Sequence, residues 1–172
     1  MLQAAFDLVP REEIFEATGI QFMQINSLYQ LLSLVKAKSA ALECADRLLF
    51  MPDLLTYFFS GKMVCEVSIA STSQMYNPVT KTWAEPLLKK LGIPTRILGK
   101  VTACGRVLGG LRAEVVDECG IDCPVISTAG HDTASAVVAA PGEGDNWCYI
   151  SSGTWSLMGL ELDKPIINDA SL

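Results

Sequence analysis

A single histidine, His131, stands in 172 residues, and its isolation rules out more chemistry than any residue present. The six cysteines (Cys44, Cys65, Cys104, Cys119, Cys123 and Cys148) contain no C-x-x-C pair, so zinc-ligand spacing is missing. A histidine-rich metal phosphohydrolase site has no second imidazole to use. A Ser-His-Asp hydrolase would carry a G-x-S-x-G nucleophile elbow, and none occurs. No G-x-x-x-x-G-K-[ST] stretch exists either, which excludes a P-loop. Basic residues never cluster beyond Lys89-Lys90 and the net charge is −6, so the basic footprint of a nucleic-acid binder is missing. The same charge disfavours an anionic membrane surface. No apolar run approaches the roughly 18 residues of a membrane span. The strongest candidate, "LLFMPDLLTYFF", is interrupted by Pro52 and Asp53. No basic-then-apolar leader pattern opens the chain, so no signal peptide is expected.

What is present reads as a globular chain: 50% apolar and 19% charged, with a mean hydropathy of +0.32 that is high for a self-contained soluble domain. The cysteines, Cys119 and Cys123 included, read as ordinary buried thiols of a reducing compartment, which predicts the cytoplasm. The acidic balance leaves phosphate ligands open, because backbone N–H groups bind them without lysine.

Periodicity predicts one helix over "NSLYQLLSLVKAKSAALECADRLL", started by Asn26 or Ser27. A second helix is expected from Pro52 to Gly61, and a short one over "AEPLLKKLG" stopped by Gly92. "CEVSIASTSQMYN" reads as a helical turn or loop close to something polar. From Pro94 the chain is expected to be loop until the helix "LRAEVVDEC", which Gly120 closes. "CPVIST" is strand-like and "DTASAVVAA" helix-forming. "PGEGDN" is the strongest break, and beyond it "WCYISS" and "WSLMGLEL" read as a β-hairpin around Gly153-Thr154. Two units follow: residues 1–140, and residues 141–172, the latter too short to bury a core alone.

The chemistry concentrates in "GHDTASAVVAAPGEGDNWCYISSGTWSLMG". Asp132 follows a strand end and opens a helix, where ligands of open α/β sheets gather. A carboxylate there can take a proton from a substrate hydroxyl, or cap the helix for about 1 kcal/mol. His131 reads as a substrate hydrogen-bonder or a packed imidazole. The Ser151-Ser152-Gly153-Thr154 turn offers backbone N–H groups and hydroxyls to a phosphoryl group, or is simply a turn.

"AGHDTASAVVAAP" followed by "YISSGTWSLMGLE" resembles the FGGY carbohydrate kinases, and within them the rhamnulokinase branch. "TGIQFMQINSLYQL", "LLFMPDLLTYFFSGK", "SIASTSQMYN" and "CGRVLGG" agree in order with the same family. The resemblance implies an α/β, actin-like or ribonuclease H-like two-lobed sugar kinase fold, present here only in part. It implies Asp132 as the general base, His131 and Thr133 with Asp132 as sugar contacts, and Gly153 with Thr154 as the turn that holds nucleotide phosphate. It also implies ATP and Mg²⁺ in the cleft, with metal ligands unassigned, and L-rhamnulose phosphorylated at its 1-hydroxyl. Residues 1–140 would be the later part of the first, sugar-binding lobe, and 141–172 the first hairpin of the second, nucleotide-binding lobe.

Family members are more than twice as long and begin with a D-x-G-x-[ST] phosphate hairpin that this sequence lacks. A central segment is therefore expected, whose partner is the remainder of its own kinase chain and which by itself transfers no phosphate. The alternatives are another FGGY kinase acting on xylulose, fuculose or glycerol, and a non-catalytic sugar-binding remnant. Asn26, Gln30, Asp53 and Gln74 are expected to be caps or surface groups.

Overall fold

A computed structural model describes residues 1–144, 147–153 and 156–172. The chain opens with two short helices, α1 (Leu2–Phe6) and α2 (Arg11–Thr18), the second ended by Gly19 in the left-handed conformation. α3 (Ser27–Lys36) buries Leu28, Tyr29, Leu31 and Leu32 along one stripe, the amphipathic spacing of a core-facing helix. The single long helix expected from Asn26 onward does not form. The chain turns at Lys38, whose φ is 50°, and the Ser39 N–H closes back on the Leu34 carbonyl before α4 (Ala40–Cys44) begins. That reversal satisfies carbonyls at the helix end and folds α4 back onto the same core.

α5 (Met51–Ser60) starts with Pro52 in its first turn and stops at a left-handed Gly61, as its sequence predicts. β1 (Cys65–Glu66) leads directly into α6 (Val67–Ser71), whose N-cap is Glu66. β2 (Tyr76–Asn77) and β3 (Thr82–Trp83) form a small antiparallel pair, and α7 (Glu85–Lys90) follows. The stretch after Pro94, expected as loop, holds a 3₁₀ turn (Thr95–Ile97), β4 (Val101–Thr102) and β5 (Val107–Gly110). These strands were invisible locally because their partners are remote: β4 pairs in parallel with β1, and β5 antiparallel with β6 (Pro124–Ile126). α8 (Ala113–Cys119) ends at Gly120, and α9 (Asp132–Val138) follows β6. β7 (Cys148–Ser152) and β8 (Ser156–Leu160) form the expected hairpin.

The buried apolar cluster runs from Ala5 to Ile97 and centres on Leu28, Tyr29, Leu32, Met75, Leu87, Leu88 and Ile97. Beyond Ile97, Ser127 is the one buried residue among those described. Val107, Ile126, Val138, Ile150, Met158 and Leu160 all lie on the surface, Val138 at 86% exposure. Exposed apolar side chains also occur in the first half, on α5 at Leu55, Phe58 and Phe59, so uncovered apolar surface is spread along the chain. The expectation of buried thiols also fails: only Cys65 is buried, and the other five cysteines are exposed. Among the described residues no helix is long and apolar enough to cross a membrane.

Three of the four polar residues expected as caps or surface groups are interior, Asn26 while also holding the N-cap position of α3. Gln74 is fully buried at a φ of 60°, where its amide donates to the Ile20 carbonyl and accepts from Asn26. Asn26, the backbone N-cap of α3, makes no side-chain capping bond and spends its amide on Gln21 and Gln74. Asp53 is 2% exposed, with Oδ1 accepting from the Glu66 N–H at 3.1 Å and Oδ2 buried without a partner among the described residues. Gln30 is exposed, as expected.

Burial pushes the Asp53 carboxyl up to about 6 from 3.8; the Glu66 N–H opposes the shift and the Glu66 charge adds to it. A raised carboxyl pKa contributes stability that is complete below pH 4 and is lost as pH rises through about 6. Thermal melts of the wild type are therefore expected to decline relative to Asp53→Asn across that window, by at most about 3 kcal/mol. Parallel pH profiles for the two proteins would contradict this. Leu88→Ala should cost about 2–5 kcal/mol by urea titration. At the exposed Leu55 the same change should stay within about 0.5 kcal/mol.

Candidate active site

The loop between β6 and α9 carries the predicted site, and polar contacts hold it at nearly every residue. Ser127 donates its hydroxyl to the Ala103 carbonyl at 3.1 Å, while its backbone exchanges hydrogen bonds with Gly105 and Arg106. The Ala129 carbonyl accepts from Ser135 Oγ, one turn into α9. The Gly130 N–H donates to Glu66 Oε2 at 3.0 Å, and the His131 N–H to Ser68 Oγ at 3.1 Å. Gly130 is required for this approach. A Cβ there would sit 2.9 Å from Pro52 Cβ, so only a bare backbone fits between α5 and Glu66.

Glu66 is 2% exposed, and every bond it makes goes to a neighbour that shapes the site. Oε1 accepts from the Ser68 N–H at 2.9 Å; Oε2 accepts from the Ser68 hydroxyl and, at 3.4 Å, from the Ile69 N–H. These satisfy the first turn of α6, the usual work of an N-cap carboxylate. Beneath it lie Asp53 and Cys65, whose thiol burial and the two carboxyl charges push up to about 12, leaving it inert as a nucleophile.

Asp132 occupies the first helical position of α9, with His131 as the backbone N-cap, so the aspartate is not itself the cap. Its side chain is 99% exposed. Oδ1 accepts from the Thr133 N–H at 2.7 Å and more loosely from Thr133 Oγ1 at 3.4 Å. Oδ2 has no protein partner among the described residues. His131 is part-buried, with Nε2 3.9 Å from Asp132 Oδ1, too long for a hydrogen bond. The arrangement is a carboxylate held at one oxygen by its own helix and presented to solvent by the other.

His131, Asp132 and Thr133 are thus brought together at one helix start. α9 packs against β7, the strand that leads to Gly153, an exposed bend. Thr154, the other expected phosphate-turn residue, lies outside the described residues. Among the described residues no group of three or more His, Cys, Asp or Glu side chains is set to hold a metal ion. The expected Mg²⁺ therefore has no side-chain cage among them. Sequence reasoning missed Glu66 and Ser68 as parts of the site. Their signal was the crowd of small hydroxyl residues after Cys65, which marks a polar neighbour without saying which.

The model of the FGGY family of carbohydrate kinases, N-terminal domain, matches residues 6–139. A rhamnulokinase of Bacteroides thetaiotaomicron is 47% identical over 166 residues, 96% of this chain and 34% of that protein. One from Oceanobacillus iheyensis is 40% identical over all 172 residues, 36% of its length. The crystal structure of a gluconate kinase from Lactobacillus acidophilus superposes with a TM-score of 0.86 at 23% identity, over 99% of this chain and 35% of that one. The chain thus spans about a third of the length of the curated relatives it matches. A family model covering most of the chain, two close relatives and the matching fold agree: this chain belongs to the FGGY family of carbohydrate kinases.

Proposed function

We propose that this chain is the central segment of an ATP-dependent carbohydrate kinase that phosphorylates L-rhamnulose at its 1-hydroxyl, with Asp132 as general base. The observation that carries the reading is the Asp132 carboxylate itself: exposed, bonded at one oxygen, and set at the start of α9 just after two amides held by Glu66 and Ser68. Rhamnulokinase relatives at 40–47% identity supply the substrate class.

In the proposed step the sugar hydroxyl gives its proton to Asp132 Oδ2 as its oxygen bonds to the γ-phosphorus of ATP. The bond from that phosphorus to the β,γ-bridging oxygen breaks, ADP leaves, and the proton passes to solvent at product release. His131 and Thr133 flank the base and would orient the sugar, which raises effective concentration at the reacting oxygen. Gly153 and Thr154 would take nucleotide phosphate through backbone N–H groups, and Mg²⁺ would neutralise the phosphate charge. In this reading residues 1–140 belong to the sugar-binding lobe and 141–172 begin the nucleotide lobe. The remainder of the kinase covers the exposed apolar strands, and the compartment is the cytoplasm.

In a kinase-length polypeptide containing this segment, Asp132→Asn should lower kcat by at least about 10²-fold with melting temperature unchanged. Unchanged turnover would refute the base assignment. A panel of L-rhamnulose, xylulose, fuculose and glycerol should give the highest kcat/KM for L-rhamnulose; a preference for any other member reassigns the substrate. The 172 residues alone should bind sugar weakly at most and form no sugar phosphate.

A further inference from the structure

Resting on the reading of Asp132 as base, we propose that Glu66, through Ser68, is the positioning residue that aims it. The chain separates these residues widely, yet two consecutive backbone N–H groups at the start of α9 end on this pair. Gly130 donates to Glu66 Oε2 at 3.0 Å and His131 donates to Ser68 Oγ at 3.1 Å. The Ser68 hydroxyl in turn donates to Glu66 Oε2, so its lone pair is turned toward His131. Those two amides immediately precede Asp132 and set the direction in which α9 leaves the loop.

The anchor is rigid for reasons independent of the site. Glu66 caps α6 through the Ser68 and Ile69 N–H groups, and its own N–H is fixed by Asp53 beneath it. Pro52 lies so close to Gly130 that a side chain at that position would clash with it, which keeps the loop backbone near α5. A carboxylate is needed rather than an amide, because Oε1 and Oε2 together accept four hydrogen bonds and donate none. Glu66 and Ser68 act on the loop backbone; no contact joins either to the Asp132 carboxylate, so their effect on chemistry runs through geometry alone.

The test uses Glu66→Gln, Ser68→Ala and Ser68→Thr in the kinase-length polypeptide, with amide exchange and resonance positions at Gly130 and His131 beside steady-state kinetics. Glu66→Gln should shift the Gly130 amide and speed its exchange while Leu28 and Leu88 stay protected. It should also lower kcat by roughly 10- to 100-fold with little change in KM for ATP. Ser68→Ala should do the same at His131 with a smaller kinetic loss, and Ser68→Thr, which keeps the hydroxyl, should restore both. Unmoved amides in Glu66→Gln would overturn the proposal. So would a loss of kcat that follows melting temperature through all variants without rescue by threonine. Should Glu66→Gln fail to fold, the Ser68 pair decides by the same criteria. Altered amides alongside a fully active Asp132→Asn would instead strike the base assignment and leave the anchor standing.

Discussion

One buried carboxylate, Glu66, joins the two halves of this chain. The first half has a true core, in which α3, α7 and the segment around Met75 bury a contiguous apolar cluster. Among its described residues the second half has none, and its helices α8 and α9 contain no buried residue. The loop that leads to Asp132 belongs to the second half but is tied by hydrogen bonds to the first, at the junction of β1 and α6. Rigidity at Asp132 is thus borrowed from a core that Asp132 does not touch. A buried charge is costly unless fully bonded, and Glu66 meets that condition with four accepted bonds, each to a group whose place matters.

The neighbouring Asp53 is the cost of this construction. Its Oδ1 holds the Glu66 backbone, but its Oδ2 is buried next to another carboxylate, without a partner among the described residues. The two acids have diverging roles set by environment: Glu66 gathers N–H and O–H donors, whereas Asp53 is pushed toward its protonated form by burial. Strain of this kind also appears at Gln74, fully buried in a left-handed conformation and bridged to Asn26 and Ile20. Asn26, Asp53 and Gln74 are therefore joints between segments rather than surface groups.

Much of the local structure was legible in the residues. The left-handed glycines at 61 and 120 stop helices where the sequence places them, and the hairpin around residue 153 follows from its alternating strands. The motif around Asp132 also pointed to the right family. The long helix after Asn26 was misread because Lys38 adopts a positive φ, which no local propensity announces. β4 and β5 were missed because a strand of two to four residues exists only through its partner. The cysteines were placed inside because Cys is usually buried, and this chain's second half has too little interior to take them.

The sequence by itself determined the candidate base, the helix that presents it and the family the chain belongs to, because those rest on residue identity and short-range spacing. Tertiary structure alone decided what holds that group in place. Glu66, Ser68 and Pro52 meet Gly130 and His131 only after α5, β1 and α6 have packed against the loop. Hydrogen bonds between residues so distant in the chain have no period and no motif; they exist because folding brings a carboxylate and two amides to the same point.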